Sequence, residues 1–166
     1  NALFFSEFGQ RMLPSQAGRT TMCPTELFYD RENENNYLKL LPIETRKEEL
    51  TLAQLGKQPE KWTTIELDTS SPTLMKSSLD EVAKTHSVTV EEAKSLGFHE
   101  DMLDHDPANK EMVIIPAWRH AKISMQNPLL ERGLRILDTP GLNALGSEPE
   151  LTISMIPGAH AVIFLL

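Results

Sequence analysis

The chain has 166 residues, which is enough for one substantial hydrophobic core and too few for two comfortable domains. Its 16 basic and 24 acidic residues give a net charge of −8, which argues against a broad surface for a nucleic-acid backbone. A single cysteine, Cys23, excludes an internal disulfide framework and fits a reducing compartment. We therefore expect a cytoplasmic protein with no nucleic-acid partner.

The ends of the chain show no targeting segment. The longest clean apolar runs, such as residues 161–166, are far shorter than the roughly 20 residues of a membrane span. The chain starts at Asn1 with no initiator methionine and no charged flank before an apolar run, so we expect no signal peptide in these residues. Because the last apolar run stops at the chain end, we expect an internal fragment of a larger protein.

The first third of the chain predicts a helix, a loop, a strand and a second helix. Apolar spacing predicts a helix over residues 1–8, and prolines and small polar residues predict a loop over residues 12–24. Residues 25–29 alternate weakly and indicate a strand. Residues 44–55 carry a helical pattern that Gly56 would end.

The middle of the chain contains two helix starts. Ser71 can cap a helix that has Pro72 in its first turn, where proline is tolerated. Thr89 and Glu92 have the spacing of a capping box, and Gly97 would end that helix. These signals predict that the middle of the chain is mostly helical.

Beyond residue 111 the pattern predicts strands and one helix. Strands are expected at residues 112–115, 117–125, 134–137 and 161–166, with a bend at Pro116. A helix is expected at residues 147–155. A strand, a loop, a helix and a further strand are typical of an α/β fold.

The most informative motif is the strand that runs into Asp-Thr-Pro-Gly at residues 138–141. An aspartate at the carboxyl end of a strand can hold Mg²⁺ through its water shell, and the amide of Gly141 can approach a terminal phosphate. The sequence Asp-Thr-Pro-Gly also occurs in ordinary turns. The strand before the motif and the helix and strand after it favour a nucleotide-hydrolase site.

A second candidate lies in the loop ahead of residue 25. A threonine in a mobile loop can coordinate Mg²⁺ through its hydroxyl and place the attacking water through its carbonyl. Thr21 is the preferred candidate, Thr20 is next to it, and Thr25 is a weaker rival. Capping is the commoner use of any one threonine, and the pairing of Thr21 with Asp138 favours the catalytic role.

Three segments together carry a family resemblance. They are Asn1-Ala-Leu, the pattern Leu13-Pro-Ser-x-Ala-Gly-x-x-Thr-x-x-Pro24, and Leu137-Asp-Thr-Pro-Gly-Leu-Asn143. In this order they resemble the GTPase domain of the dynamin superfamily, and most closely that of bacterial dynamin-like proteins. The long separation of the two motifs fits large GTPases, although residues 32–110 match only loosely.

The resemblance implies a fold and a division of the chain. The fold would be α/β, a three-layer P-loop NTPase-type sheet flanked by helices, with a helical insertion between the two switches. Residues 1–31 would hold the helix after the phosphate loop and switch I, residues 32–111 the insertion, and residues 112–166 switch II and the following strands. The phosphate loop would lie upstream of Asn1 and the guanine-specificity motif beyond Leu166.

The resemblance also implies the roles of the site residues. Thr21 would be the catalytic switch I threonine and would contact nucleotide and Mg²⁺. Asp138 would hold Mg²⁺ through water, and Asp138, Thr139, Pro140 and Gly141 would contact the nucleotide. GTP and GDP are the implied ligands. The family further implies self-association through the GTPase domain and membrane association through regions outside this chain.

Two alternatives stay open at this stage. A degenerate or truncated nucleotide-hydrolase fold could serve as a non-catalytic interaction module, because the motifs for phosphate and guanine are missing from these residues. An ATP-using relative is also compatible, since a motif outside the chain selects the base. The acidic segment at residues 99–106 contains two histidines, but its spacing matches no defensible metal-ligand pattern.

Overall fold

The computed structural model describes residues 23–139 and 159–162. Within these ranges the chain forms strands, short α-helices and several 3-10 turns. The strands are β1 (Thr25–Phe28), β2 (Tyr37–Pro42), β3 (Thr63–Glu66), β4 (Thr85–Val88), β5 (Asp104–Asp106), β6 (Asn109–Pro116), β7 (Trp118–Ser124) and β8 (Ile136–Asp138). The α-helices are α1 (Leu52–Leu55), α2 (Pro72–Asp80), α3 (Val90–Ser95) and α4 (Pro128–Glu131). The 3-10 turns are Ile43–Lys47, Pro59–Lys61, Glu81–Ala83 and Glu100–Met102.

In the described part of the chain the main sheet has five strands, in the order β3-β2-β7-β1-β8. Among the described strands, β1 and β7 are the one parallel pair, and β8 runs antiparallel to β1. The predicted three-layer P-loop sheet is therefore wrong for this part of the chain, which forms a mixed, strand-rich fold with two sheets. The physical reason is that strand periodicity marks buried faces but carries no information about strand direction.

The predicted helical insertion is also wrong. Its residues supply β2 to β5 and the first part of β6, and they contain only short helices. The predicted helix at residues 44–55 is a 3-10 turn, Ile43–Lys47, followed by the four-residue α1. Thr51 caps α1 together with the side chain of Gln54. This capping box starts a new helix inside the predicted one, so the apolar spacing there spans two elements.

Several local predictions are confirmed. Residues 25–28 form β1, Ser71 caps α2 and Thr89 caps α3 through its hydroxyl. Gly97 follows α3 with a φ of 82°, which suits a glycine at a helix end. These features depend on neighbours in sequence, which explains why the sequence predicts them.

The strands on either side of Pro116 are confirmed, but they belong to different sheets. β6 pairs with β4 and β5 in a three-stranded sheet, whereas β7 lies in the centre of the main sheet. Ala117, between the two strands, donates its amide to the carbonyl of Lys84 and accepts the amide of Ile43. The bend therefore joins the two sheets without leaving its backbone groups unpaired.

Each sheet packs against its own apolar cluster. One face of the main sheet packs on α2, with Leu38 and Leu40 from β2 fully buried at its centre. The smaller sheet packs on α3 through Val113 and Ile115 of β6. Burying a leucine or valine side chain contributes about 1.5–3 kcal/mol, so each sheet has its own source of stability.

The remaining predicted elements fall largely outside the described residues. Those are the helices at residues 1–8 and 147–155 and most of the strand at residues 161–166. Ala161 and Val162 are described, are exposed, and are not in a strand. The longest described helix, α2, has nine residues. None of the helices in the described ranges combines the length and apolar character needed to cross a lipid bilayer.

The second face of the main sheet buries a histidine. His120 of β7 is 1 % exposed and meets the ring of Trp62 edge to face, with 6.1 Å between ring centroids. Its Nδ1 atom has no hydrogen-bond partner in the described part of the chain. Burial, with the nearby charges of Lys122 and Arg119, lowers the pKa of His120 to about 3. The folded protein therefore holds this side chain neutral.

This burial predicts a pH dependence of stability. Below the ordinary pKa of 6.5 the unfolded chain protonates His120, whereas the folded chain stays neutral there down to about pH 3. The free energy of unfolding should therefore fall as the pH drops from 6.5 toward 3, by up to about 1.4 kcal/mol per pH unit from this residue. Urea denaturation at a series of pH values measures the slope.

The control for this prediction is an exposed histidine. His120→Leu should flatten the pH dependence below pH 6.5, whereas His105→Gln, at an exposed position of β5, should leave it as in the wild type. An unchanged slope in His120→Leu would contradict the assignment of the buried neutral histidine.

Candidate functional site

The antiparallel pairing of β1 and β8 brings two distant segments to one end of the main sheet. β1 begins at Thr25 and β8 ends at Asp138, and these two residues are direct cross-strand partners. Leu27 pairs with Ile136 further along the same two strands. The chain therefore enters β1 beside the point at which it leaves β8.

The structure locates two of the five predicted site residues. Asp138 ends β8 and Thr139 follows it directly, and both are half-buried. Thr21, Pro140 and Gly141 lie outside the described residues. The predicted location of Asp138 at the carboxyl end of a strand is thus confirmed. The binding of Mg²⁺ and nucleotide by Asp138 stays a prediction.

Thr25 is wrong as a rival for the switch I threonine. It lies in a strand rather than in a loop, and its side chain is 0 % exposed. Its hydroxyl donates to the carbonyl of Cys23 at 3.0 Å. A fully buried hydroxyl is poorly placed to bind an ion from solution.

The backbone that leads into β1 is held on two sides. Cys23 is 1 % exposed within the main core. The carbonyl of Pro24 accepts the amide of Ala121, the first β7 residue paired with β1, at 2.9 Å. The last residues before β1 are therefore fixed relative to the centre of the sheet.

An ion pair links β8 to β1 on the face of the sheet opposite to the Thr25 side chain. The carboxylate of Glu26 in β1 accepts a hydrogen bond of 2.8 Å from Arg135, just before β8, and lies 4.0 Å from Lys122 in β7. The guanidinium of Arg135 also lies over the ring of Phe28, 4.8 Å from its centroid. Sequence reasoning missed this cluster because complementary charges alone do not identify their partners.

The turn before β8 is set by a glycine and an arginine. Asn127 caps the four-residue helix α4 by accepting the amides of Leu129 and Leu130. Gly133 then has a φ of 96°, a conformation that other residues rarely adopt. Arg31 donates to the carbonyl of Glu131 and packs beside this turn.

A cleft of about 490 Å³ lies at the other end of β1. One of its carboxylates, Asp30, accepts hydrogen bonds from the Asn33 side chain at 2.7 Å and from the Tyr37 hydroxyl at 2.8 Å. These bonds, the Asn33 side chain foremost, lower the pKa of Asp30 to about 2. Burial, and then the bond to Asp30, raises the pKa of Tyr37. Because its partners occupy it, the Asp30 carboxylate has a structural role.

The charges around this cleft do not select a ligand. Arg31, Lys122 and Arg135 line it together with the acidic side chains of Asp30 and Glu32. The mixture gives neither a cationic nor an anionic pocket. The end of the sheet that carries Asp138 is therefore the better candidate site.

The described residues contain no complete metal site of their own. Within residues 23–139 and 159–162, no group of three or more His, Cys, Asp or Glu side chains is arranged to hold a metal. Mg²⁺ bound to a nucleotide needs only one or two protein oxygen ligands, because phosphate and water supply the others. The half-buried carboxylate of Asp138, next to the hydroxyl-bearing Thr139, fits that need.

Gly133 provides a test of how β8 is placed. Gly133→Ala should lower the free energy of unfolding by about 1–2 kcal/mol, because a side chain disfavours the left-handed backbone there. The hydrogen exchange of the β8 amides should accelerate. Gly97→Ala, with a similar φ of 82° beside the second sheet, should destabilise the protein without selectively affecting β8. Equal exchange of β8 in both variants would contradict this prediction.

Comparison with known proteins adds no identification. No protein-family model matches this chain, and no curated protein or solved structure matches it. The similarity to dynamin-type GTPases thus depends on the quoted motifs alone. A function for the chain has to be proposed from those motifs and from the geometry around Asp138.

Proposed function

We propose that this chain carries the two switch segments of a GTP-hydrolysing protein that resembles bacterial dynamin-like proteins. One observation carries the proposal: β1 and β8 are antiparallel neighbours, and Thr25 lies opposite Asp138. Thr21 precedes Thr25 by four positions in the sequence. The start of β1, which follows one motif, and the end of β8, which carries the other, therefore lie at the same end of the sheet.

The proposed chemistry assigns a separate task to each motif. Asp138 would hold Mg²⁺ through a water molecule, and the hydroxyl of Thr21 would bind it directly. The carbonyl of Thr21 orients the attacking water, and the amide of Gly141 donates to the terminal phosphate. When bound, Mg²⁺ neutralises charge that develops on the phosphate oxygens. Positioning of the reactants and stabilisation of charge supply most of the rate enhancement of GTP hydrolysis, so neither motif needs a general base.

The proposal includes groups that these residues do not contain. No Gly-x-x-x-x-Gly-Lys-Ser/Thr loop for the phosphates occurs in the sequence, and neither does a guanine-specificity motif. In the proposed protein, segments before Asn1 and after Leu166 supply them. Self-association through the GTPase domain and membrane remodelling are part of the same proposal, and they too depend on the family resemblance.

Two substitutions in the full-length protein test the residue roles. Thr21→Ala and Asp138→Ala should each lower the rate of GTP turnover by about 100-fold or more, because each removes a group that acts in the transition state. Phosphate release from GTP, with ATP as a parallel substrate, measures the effect. Asp104→Ala, at an exposed carboxylate of β5, is the matched control and should keep wild-type turnover.

The outcomes of this experiment separate the two functional hypotheses. Wild-type turnover in both variants would overturn the assignment of Thr21 and Asp138. If the folded wild-type protein hydrolyses neither GTP nor ATP, the non-catalytic interaction module becomes the better hypothesis. Hydrolysis of ATP but not of GTP would keep the proposed phosphate chemistry and would mean that the protein recognises adenine rather than guanine.

The isolated 166-residue chain should bind GTP weakly or not at all, because it lacks the groups that hold the α- and β-phosphates and the guanine. Isothermal titration of this chain with GTP and Mg²⁺ measures the affinity. Binding in the micromolar range would contradict the division of the site between this chain and its flanking segments.

A further inference from the structure

We infer that Thr25 is a positioning residue for Asp138, an inference that rests on the proposed function. β8 has three residues, and β1 is its one partner among the described strands. The register between them consists of three cross-strand pairs, of which Thr25–Asp138 is the last before β8 ends. The location of the Asp138 backbone is therefore decided by the first residue of β1.

The side chain of Thr25 links this pair to the preceding loop. Directly opposed residues of antiparallel strands project to the same face of the sheet, so the Thr25 side chain lies beside that of Asp138. Its hydroxyl donates to the carbonyl of Cys23, which belongs to the predicted loop at residues 12–24. One buried side chain thus contacts the backbone entering β1 and neighbours the carboxylate that ends β8.

The neighbouring bonds make this link rigid. Cys23 is 1 % exposed, and the carbonyl of Pro24 is bonded to the amide of Ala121 at 2.9 Å. A change at Thr25 would free the carbonyl of Cys23 from its side-chain donor and leave the Pro24 bond in place. The expected result is a local shift of the β1 entrance relative to Asp138, with the rest of the sheet retained.

The chemistry of threonine suggests two informative substitutions. Valine has nearly the same shape and also favours strands, but it cannot donate to Cys23. Serine keeps the hydroxyl and loses only a methyl group. If the hydroxyl positions the strands, Thr25→Val should impair the site and Thr25→Ser should largely restore it.

A second buried threonine provides a matched control. Thr45, in the 3-10 turn after β2, is 5 % exposed and donates its hydroxyl to the carbonyl of Pro42 at 2.7 Å. Thr45→Val removes the same kind of bond at a position outside β1 and β8. It should cost stability without affecting Asp138.

The experiment compares these three variants with the wild-type full-length protein in two measurements. The first is hydrogen exchange of the β8 amides, which needs neither nucleotide nor Mg²⁺. The second is steady-state GTP turnover as a function of Mg²⁺ concentration. For Thr25→Val we expect faster β8 exchange, a Mg²⁺ half-saturation raised by about tenfold, and kcat lowered by about tenfold or more. The KM for GTP should change little, because Thr25 is fully buried.

The outcomes distinguish this inference from the proposed function. Wild-type exchange in β8 together with wild-type Mg²⁺ dependence in Thr25→Val would overturn the inference and leave the proposed function standing. Equal effects of Thr25→Val and Thr45→Val would also overturn it, since they would indicate general destabilisation. Failure of the wild-type protein to hydrolyse either GTP or ATP would overturn the proposed function, and with it the catalytic part of the inference. Faster β8 exchange in Thr25→Val alone would still support the structural link.

Discussion

Backbone pairing of β1 with β7 on one side and with β8 on the other joins segments from both ends of the described chain. The parallel pair with β7 attaches β1 to the centre of the main sheet, where Leu27 is fully buried. The antiparallel pair with β8 then places Asp138 opposite Thr25. The candidate site depends on this second pairing, because β8 is short and pairs only with β1 among the described strands. An ion pair between Glu26 and Arg135 supports it from the other face.

The two sheets differ in their relation to the candidate site. The main sheet packs on α2 and carries both strands of the candidate site. The smaller sheet has its own apolar cluster and meets the main sheet where β6 passes into β7. Arg46 adds a contact between them, because its guanidinium lies 4.4 Å from the centroid of the Phe98 ring. Residues 32–111 therefore form packed parts of both sheets rather than a long flexible loop.

Local features of the fold could be predicted from the sequence, and non-local features could not. Ser71, Thr89 and Gly97 mark helix ends through bonds or backbone angles within a few residues. β1 and the strands around Pro116 follow from alternation and branched side chains. Strand direction, the two-sheet division and β2 to β5 were missed or wrong. They depend on which strands pair, and pairing joins residues that are distant in sequence.

For the candidate site, the sequence alone determined the residue types and the end of the strand at Asp138. A carboxylate after an apolar strand, followed by proline and glycine, is a local pattern, because neighbouring residues alone indicate where the strand ends. Only the tertiary structure decided that Thr25 lies opposite Asp138 and that Glu26 binds Arg135 on the other face. Those contacts arise from the register of β1 on β8. That register is set by the burial of Leu27 and Ile136 against a shared core, which no local pattern specifies.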